Sequence, residues 1–140
     1  MKTPSTNESV VSNETESIPR GSETILVVED ELTVRNFIAE ILTACGYKVL
    51  SVSHGYDAVD KAKKETVDLL LADVMMKWKN GVQTAQEIRD LHPKMKILFI
   101  SGYTEEELAH TAMEAGTASF LSKPFTPKAI ALKVREVLDR

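Results

Sequence analysis

Apolar residues along the chain fall into two kinds of stretch that alternate. The first kind is short and apolar: Leu69, Leu70 and Leu71 show no polar alternation, which predicts a strand buried on both faces. "TILVV" (Thr24–Val28), "YKVLSV" (Tyr47–Val52), the run that ends at Asp73, "KILFIS" (Lys96–Ser101) and "TASFLS" (Thr117–Ser122) are the five expected strands. The second kind repeats at helical spacing. Val34, Phe37, Ile38, Ile41, Leu42 and Cys45 share one face of a first helix, which Gly46 stops. Ala58, Val59 and Ala62 carry a short second helix, and Val82, Ala85, Ile88 and Leu91 a third that ends before Pro93. "TEEELAHTAMEAG" reads as a fourth helix, with Thr104 and Glu107 spaced as a capping box and Gly116 as its stop. A fifth runs through Ile130, Val134, Val137 and Leu138, with Thr126 suited to the cap and Pro127 to the first turn.

Five strands alternating with five helices imply right-handed crossovers and one parallel sheet covered on both faces, an α/β fold. The working site of such a sheet lies beyond the carboxyl ends of its strands. Composition narrows the class. At 140 residues, 43% hydrophobic and 27% charged, the chain suits a single ordinary globular domain. A formal charge of −4 gives no footing for a nucleic-acid or anionic-membrane partner. No stretch has the apolar length of a signal-peptide core or a membrane span, and the single Cys45 fits a reducing compartment, so a cytoplasmic location is expected. Ten of the first 22 residues are Ser, Thr or Asn, too polar to offset the entropy of ordering; residues 1–22 are expected to be a flexible tail ahead of a domain over 23–140.

The strand ends carry the candidate chemistry. Strand one ends in Glu29 and Asp30, strand three in Asp73, strand four in Ser101, and strand five in Lys123, which precedes Pro124. Two carboxylates about 5 Å apart repel by about 3 kcal/mol at an effective dielectric near 20, so three at one edge favour a cation or proton uptake. Hard oxygen ligands without a converging His or Cys cluster point to Mg²⁺, and Mg²⁺ commonly bridges carboxylates to a phosphoryl group. A carboxylate can itself attack phosphorus, while an ammonium and a hydroxyl meet the phosphoryl oxygens. The competing reading is plainer: Glu29 and Asp30 sit where acids cap a following helix, which accounts for those two but not for Asp73, Ser101 and Lys123 together.

In this order and spacing, "ILVVEDE", "DLLLADVMM", "LFISGYT" and "SKPF" resemble the receiver domain of bacterial two-component response regulators, over residues 23–140. The resemblance implies a flavodoxin-like fold, a five-stranded parallel sheet in the order 2-1-3-4-5 with five helices on its two faces. It makes Asp73 the phosphate acceptor, Asp30 a direct Mg²⁺ ligand, Glu29 a second acid holding the ion largely through water, and Met75 a ligand through its backbone carbonyl. Asp73 ligates the metal as well. Ser101 becomes the switching hydroxyl, Phe120 the aromatic rotamer switch, and Lys123 the partner of the phosphoryl group; the bond from Lys123 to Pro124 resembles the family's cis peptide. The implied function is a switch rather than a turnover enzyme: a sensor histidine kinase or phosphotransfer protein donates to Asp73, and the face of the fourth helix, fifth strand and fifth helix binds an output protein or domain. The switch catalyses only its own phosphotransfer and autodephosphorylation, as a monomer or a phosphorylation-dependent homodimer. Both a free-standing regulator and a receiver from a hybrid kinase remain open.

Where the family usually has a proline the chain has Lys77, which predicts a more mobile loop between Asp73 and Gly81. Lys77, Trp78 and Lys79 form either a docking patch or a Trp laid on its own neighbours between two solvated lysines. Met75 and Tyr103, both bulky, are expected to flank the phosphoryl group and hinder attacking water. His54, His92 and His110 share no spacing that would join them at the acids and read as surface residues, whereas Cys45 reads as core. Two other classes fit less well. A haloacid-type Mg²⁺ phosphohydrolase needs a second acid where Met75 stands, and a flavodoxin-type binding domain wants a phosphate-cradling loop where "EDELT" places acids.

Overall fold

The computed structural model describes residues 18–76, 80–102 and 119–140. Its elements run β1 (Thr24–Val28), α1 (Leu32–Ala44), β2 (Lys48–Val52), α2 (Gly55–Lys64), β3 (Leu69–Asp73), α3 (Gly81–Leu91), β4 (Lys96–Ser101), β5 (Ser119–Ser122) and α4 (Pro127–Leu138). All neighbouring strands are parallel, in the order β2-β1-β3-β4-β5. The helix expected over Thr104 to Gly116 and the start of strand five at Thr117 lie outside the described residues, so the expected fifth helix is α4 here.

Unbroken apolar strands feed both faces of the sheet because successive side chains point to opposite sides. Ile25, Val27, Leu69, Leu71, Leu98 and Ile100 pack with Ile38 and Leu42 of α1 and Ile130, Val134 and Val137 of α4. Leu26, Val28, Leu70, Ala72, Ile97 and Phe99 pack with Ala58 and Ala62 of α2 and Ala85 and Ile88 of α3. Cys45 belongs to the first of these layers, and burial pushes its thiol pKa up, against a small opposing pull from Arg20. Phe37, expected on the buried face of α1, is 41% exposed and meets the Phe125 ring at 6.1 Å between centroids.

Helix ends follow local chemistry. Thr126 Oγ1 accepts the Ala129 N–H at 3.0 Å, with Pro127 opening α4 as expected. α3 starts at Asn80, whose side chain accepts the Gln83 N–H at 2.8 Å while Gln83 answers on the Asn80 N–H, a capping box. Gly46 closes α1 with φ 104°, a left-handed conformation that a side chain would strain.

Residues 18–22, assigned to the flexible tail in the sequence reading, are docked on the domain. Ile18 packs against the α1–α4 layer, the Gly21 N–H donates to the Cys45 carbonyl at 3.1 Å, and Arg20 Nη1 donates to the Ala44 carbonyl. Arg135 of α4 locks this lead in place: its Nη1 donates to the Arg20 carbonyl and the Tyr47 hydroxyl, and its Nη2 to Glu23 Oε2 at 2.6 Å. These partners lie far apart in sequence, so local composition carried no sign of them.

Candidate functional site

The parallel topology sends the ends of β1, β3, β4 and β5 to one edge. Glu29 follows β1, and its N–H is tied to the Val52 carbonyl at the end of β2 (3.2 Å). Asp30 comes next and is half-buried. Asp73 is the last residue of β3, and Ser101 the last of β4. Lys123 follows β5, with its N–H on the Ser101 carbonyl at 2.8 Å and a cis bond to Pro124.

One carboxylate oxygen from each of Glu29, Asp30 and Asp73 lies within 4.8 Å of the others. Lys123 Nζ donates to Asp73 Oδ2 at 2.8 Å and stands 3.2 Å from Glu29 Oε1. The second Asp73 oxygen accepts the Met75 N–H at 3.0 Å, and the second Glu29 oxygen the Glu31 N–H at 3.0 Å. Among the described residues Glu29 Oε1 is buried and accepts no hydrogen bond, although the Lys123 ammonium is close by. Glu29 is wholly buried and Asp73 nearly so. Burial, and then the neighbouring Asp73 charge, push the Glu29 carboxyl up to about 7 against the pull of the Glu31 N–H and Lys123. For Lys123, burial pulls the ammonium down, but its hydrogen bond to Asp73 and the charges of Asp73 and Glu29 prevail and leave its pKa raised.

This donor set fits a hard divalent cation. Three carboxylates converge, two of them on the Lys123 ammonium, and among the described residues one buried oxygen lacks a hydrogen-bond donor. Mg²⁺ accepts such oxygens and keeps water on its remaining positions. The capping alternative accounts for little: α1 is capped by Glu31 without a side-chain hydrogen bond, and Glu29 reaches only the Glu31 N–H.

The remaining expected residues stand at different distances from this cluster. Ser101 is buried beside Lys123 through the shared backbone bond. Phe120 stacks at a tilt on Phe99, 5.5 Å between centroids, in the layer under α2 and α3 rather than among the acids. Met75 touches the site through its N–H, while its side chain is 60% exposed. Lys77, Trp78, Lys79, Tyr103 and His110 lie outside the described residues. His92 reaches the Ala62 carbonyl at 2.8 Å and His54 stands 3.3 Å from Asp57.

Two participants were missed by the sequence reading. Gly81, the first residue of α3, donates its N–H to the Val74 carbonyl, and a Cβ there would lie 2.3 Å from the Asp73 carbonyl oxygen. Only a residue without a side chain lets α3 start so close to the end of β3. Arg35 of α1 donates Nη1 to the Glu29 carbonyl at 2.8 Å.

A family model described as the response regulator receiver domain matches residues 25–135. The sensor kinase CckA of Brucella abortus is 35% identical over 122 residues, 86% of this chain and 13% of that kinase. The transcriptional regulatory protein CreB of Escherichia coli is 30% identical over 118 residues, 84% of this chain and 52% of the regulator. The chain thus spans about half or less of these curated relatives. Among solved structures, the chemotaxis protein CheY4 of Vibrio cholerae superposes with a TM-score of 0.78 at 25% identity, covering 84% of this chain and 99% of CheY4. No helix among the described residues is long and apolar enough to cross a membrane. The sheet order, the strand-end cluster and the family match over residues 25–135 agree, and the chain belongs to the response regulator receiver domains of two-component signalling systems.

Proposed function

We propose that Asp73 accepts a phosphoryl group from the phosphohistidine of a sensor histidine kinase or phosphotransfer protein, with Mg²⁺ held by Glu29, Asp30, Asp73 and the Met75 carbonyl. The observation that carries this reading is the convergence of three carboxylates within 4.8 Å beside an ammonium 2.8 Å from Asp73. In the transfer a lone pair of an Asp73 oxygen forms the new O–P bond, the P–N bond breaks, and its electron pair returns to the imidazole nitrogen. Bound Mg²⁺ supplies positive charge to the phosphoryl oxygens.

The chain's own residues do the rest. Lys123 neutralises Asp73 before transfer and follows the phosphoryl oxygens after it, a path that requires no new charge to enter the site. The Met75 N–H orients the acceptor carboxylate. Ser101 offers its hydroxyl to the phosphoryl group, and Phe120 turns inward as Ser101 moves. The bias between two pre-existing states is then expressed on the face of the expected fourth helix, β5 and α4, where an output protein or domain binds, in the cytoplasm. Water later attacks the phosphorus, the P–O bond to Asp73 breaks and inorganic phosphate leaves, which restores the carboxylate at a rate set by Met75 and Tyr103.

The test is incubation with Mg²⁺ and acetyl phosphate, followed by intact mass and mapping of the modified residue. One labile phosphoryl group on Asp73, lost with Asp73→Asn and in the absence of Mg²⁺, is expected. An unmodified chain that also fails to bind a fluoride-based phosphoryl mimic would overturn the reading.

A further inference from the structure

Arg35 stands in a place that helix chemistry alone disfavours. It is the fourth residue of α1, where the helix dipole is positive and a cation is unfavourable, and the first turn carries no acid to offset it. Its N–H makes the first helical bond, to the Glu31 carbonyl at 2.9 Å, so its backbone is rigidly mounted on the helix. Its guanidinium turns back to the Glu29 carbonyl at 2.8 Å. Glu29 is thereby held on both sides, its N–H by β2 and its carbonyl by α1.

The peptide that follows Glu29 is planar, so the pinned carbonyl oxygen also sets the plane in which the Asp30 nitrogen lies. One guanidinium therefore orients the backbone of two of the three converging acids. We infer that Arg35 is a positioning residue for the divalent cation, holding Glu29 and Asp30 in their ligating arrangement through the Glu29 carbonyl. The inference rests on the Mg²⁺ reading above and deepens it.

Position and charge make opposite predictions here. As a nearby cation, Arg35 repels Mg²⁺, and removing it would tighten binding. As a positioning group, its removal loosens the ligand pair, and loss of such a support typically weakens metal affinity about 10-fold or more. The experiment is calorimetric titration of the full chain with Mg²⁺, comparing the native protein with Arg35→Met, which keeps length but loses donor and charge, and Arg35→Lys, which keeps charge and one donor. Melting curves without Mg²⁺ accompany each titration to show that the variants are folded. The expected result is about 10-fold weaker binding for Arg35→Met with partial recovery in Arg35→Lys. Native binding with unchanged or tighter affinity in Arg35→Met overturns the role of Arg35 alone. A native chain that binds no Mg²⁺ overturns the metal reading and this inference with it. If Arg35→Met does not fold, Arg35→Ala takes its place, where about 10-fold weaker Mg²⁺ binding supports the geometric role and unchanged or tighter binding overturns it.

Discussion

Replacing Gly81 by alanine tests how tightly β3 is packed against the helix that follows it. The new Cβ would sit 2.3 Å from the Asp73 carbonyl oxygen, 3.0 Å from its carbonyl carbon and 3.2 Å from Val74 Cα. All three are backbone atoms, so no side chain can swing aside, and either the strand end or the first turn of α3 must move. Such overpacking costs about 1–3 kcal/mol. Against it, alanine is favoured over glycine in a helix by at most about 1 kcal/mol, and by less at the first position. The net loss is about 1–2 kcal/mol, and at roughly 4 °C per kcal/mol for a domain of this size the melting midpoint falls by about 4–8 °C. Urea unfolding followed by circular dichroism measures the first quantity and a thermal scan the second. Gly102→Ala is the control, since among the described residues nothing lies within 4 Å of a Cβ at that position. Where the strand end is the part that yields, Asp73 shifts with it, and Mg²⁺ affinity then falls along with stability in Gly81→Ala. A variant as stable as the native chain, with an unchanged denaturant slope, would refute the packing argument.

Other substitutions probe the remaining contacts. Lys123→Met leaves Glu29 and Asp73 facing each other without a cation; with the lysine side chain 25% exposed, the loss is about 2 kcal/mol rather than the 3–5 of a fully buried pair, and Mg²⁺ should restore most of it in a thermal scan. The Arg135 hydrogen bond, first among its causes, holds the Glu23 carboxyl below its ordinary value of 4.5. That contact therefore contributes fully above pH 4.5 and is lost as the pH falls through the lower folded value, which a double-mutant cycle of Glu23→Gln and Arg135→Met across that range would read as a coupling of about 1 kcal/mol at neutral pH and none in acid. Leu71→Ala, at a side chain with no exposure, should cost about 3–4 kcal/mol, whereas Leu132→Ala, 46% exposed, should stay within about 0.5 of the native chain in the same urea assay.

The strands were legible because each carries an apolar run with no polar interruption, and a parallel sheet under two helical layers is what such runs require. Leu69, Leu70 and Leu71 illustrate it: alternate members feed opposite core layers, and all three are fully buried. Legibility failed where the partner is distant or the signal is short. Ile18, alone in a polar stretch, gave no sign that it packs on the domain, because its anchors are Arg20 on Ala44 and Arg135 of the last helix. The Asn80–Gln83 capping box starts α3 directly after the Lys77–Lys79 run, where the missing proline predicts a mobile loop. Phe37 has helical spacing with core residues, yet it sits at the rim of the face, where Phe125 covers it only in part.

At the acidic edge the same residues are asked to do two things, and the conflict explains both what the sequence revealed and what it concealed. Glu29 and Asp30 stand just ahead of α1, where acids normally cap and charge-balance a helix. Both are instead among the acids that converge with Asp73, and Glu29 spares the helix only one oxygen, on the Glu31 N–H. α1 is left with a cap that makes no side-chain hydrogen bond and with no acid in its first turn. An arginine close behind that weak start reads, one residue at a time, as a solvated charge. Its partner is a main-chain carbonyl, for which no residue type is a marker, so the contact emerges only when the fold brings the helix back over the strand end. Local rules broken without a local reason are expected where chemistry competes with folding. The weak start of α1 is such a place, and the acids withheld from it are those that Mg²⁺ would bind.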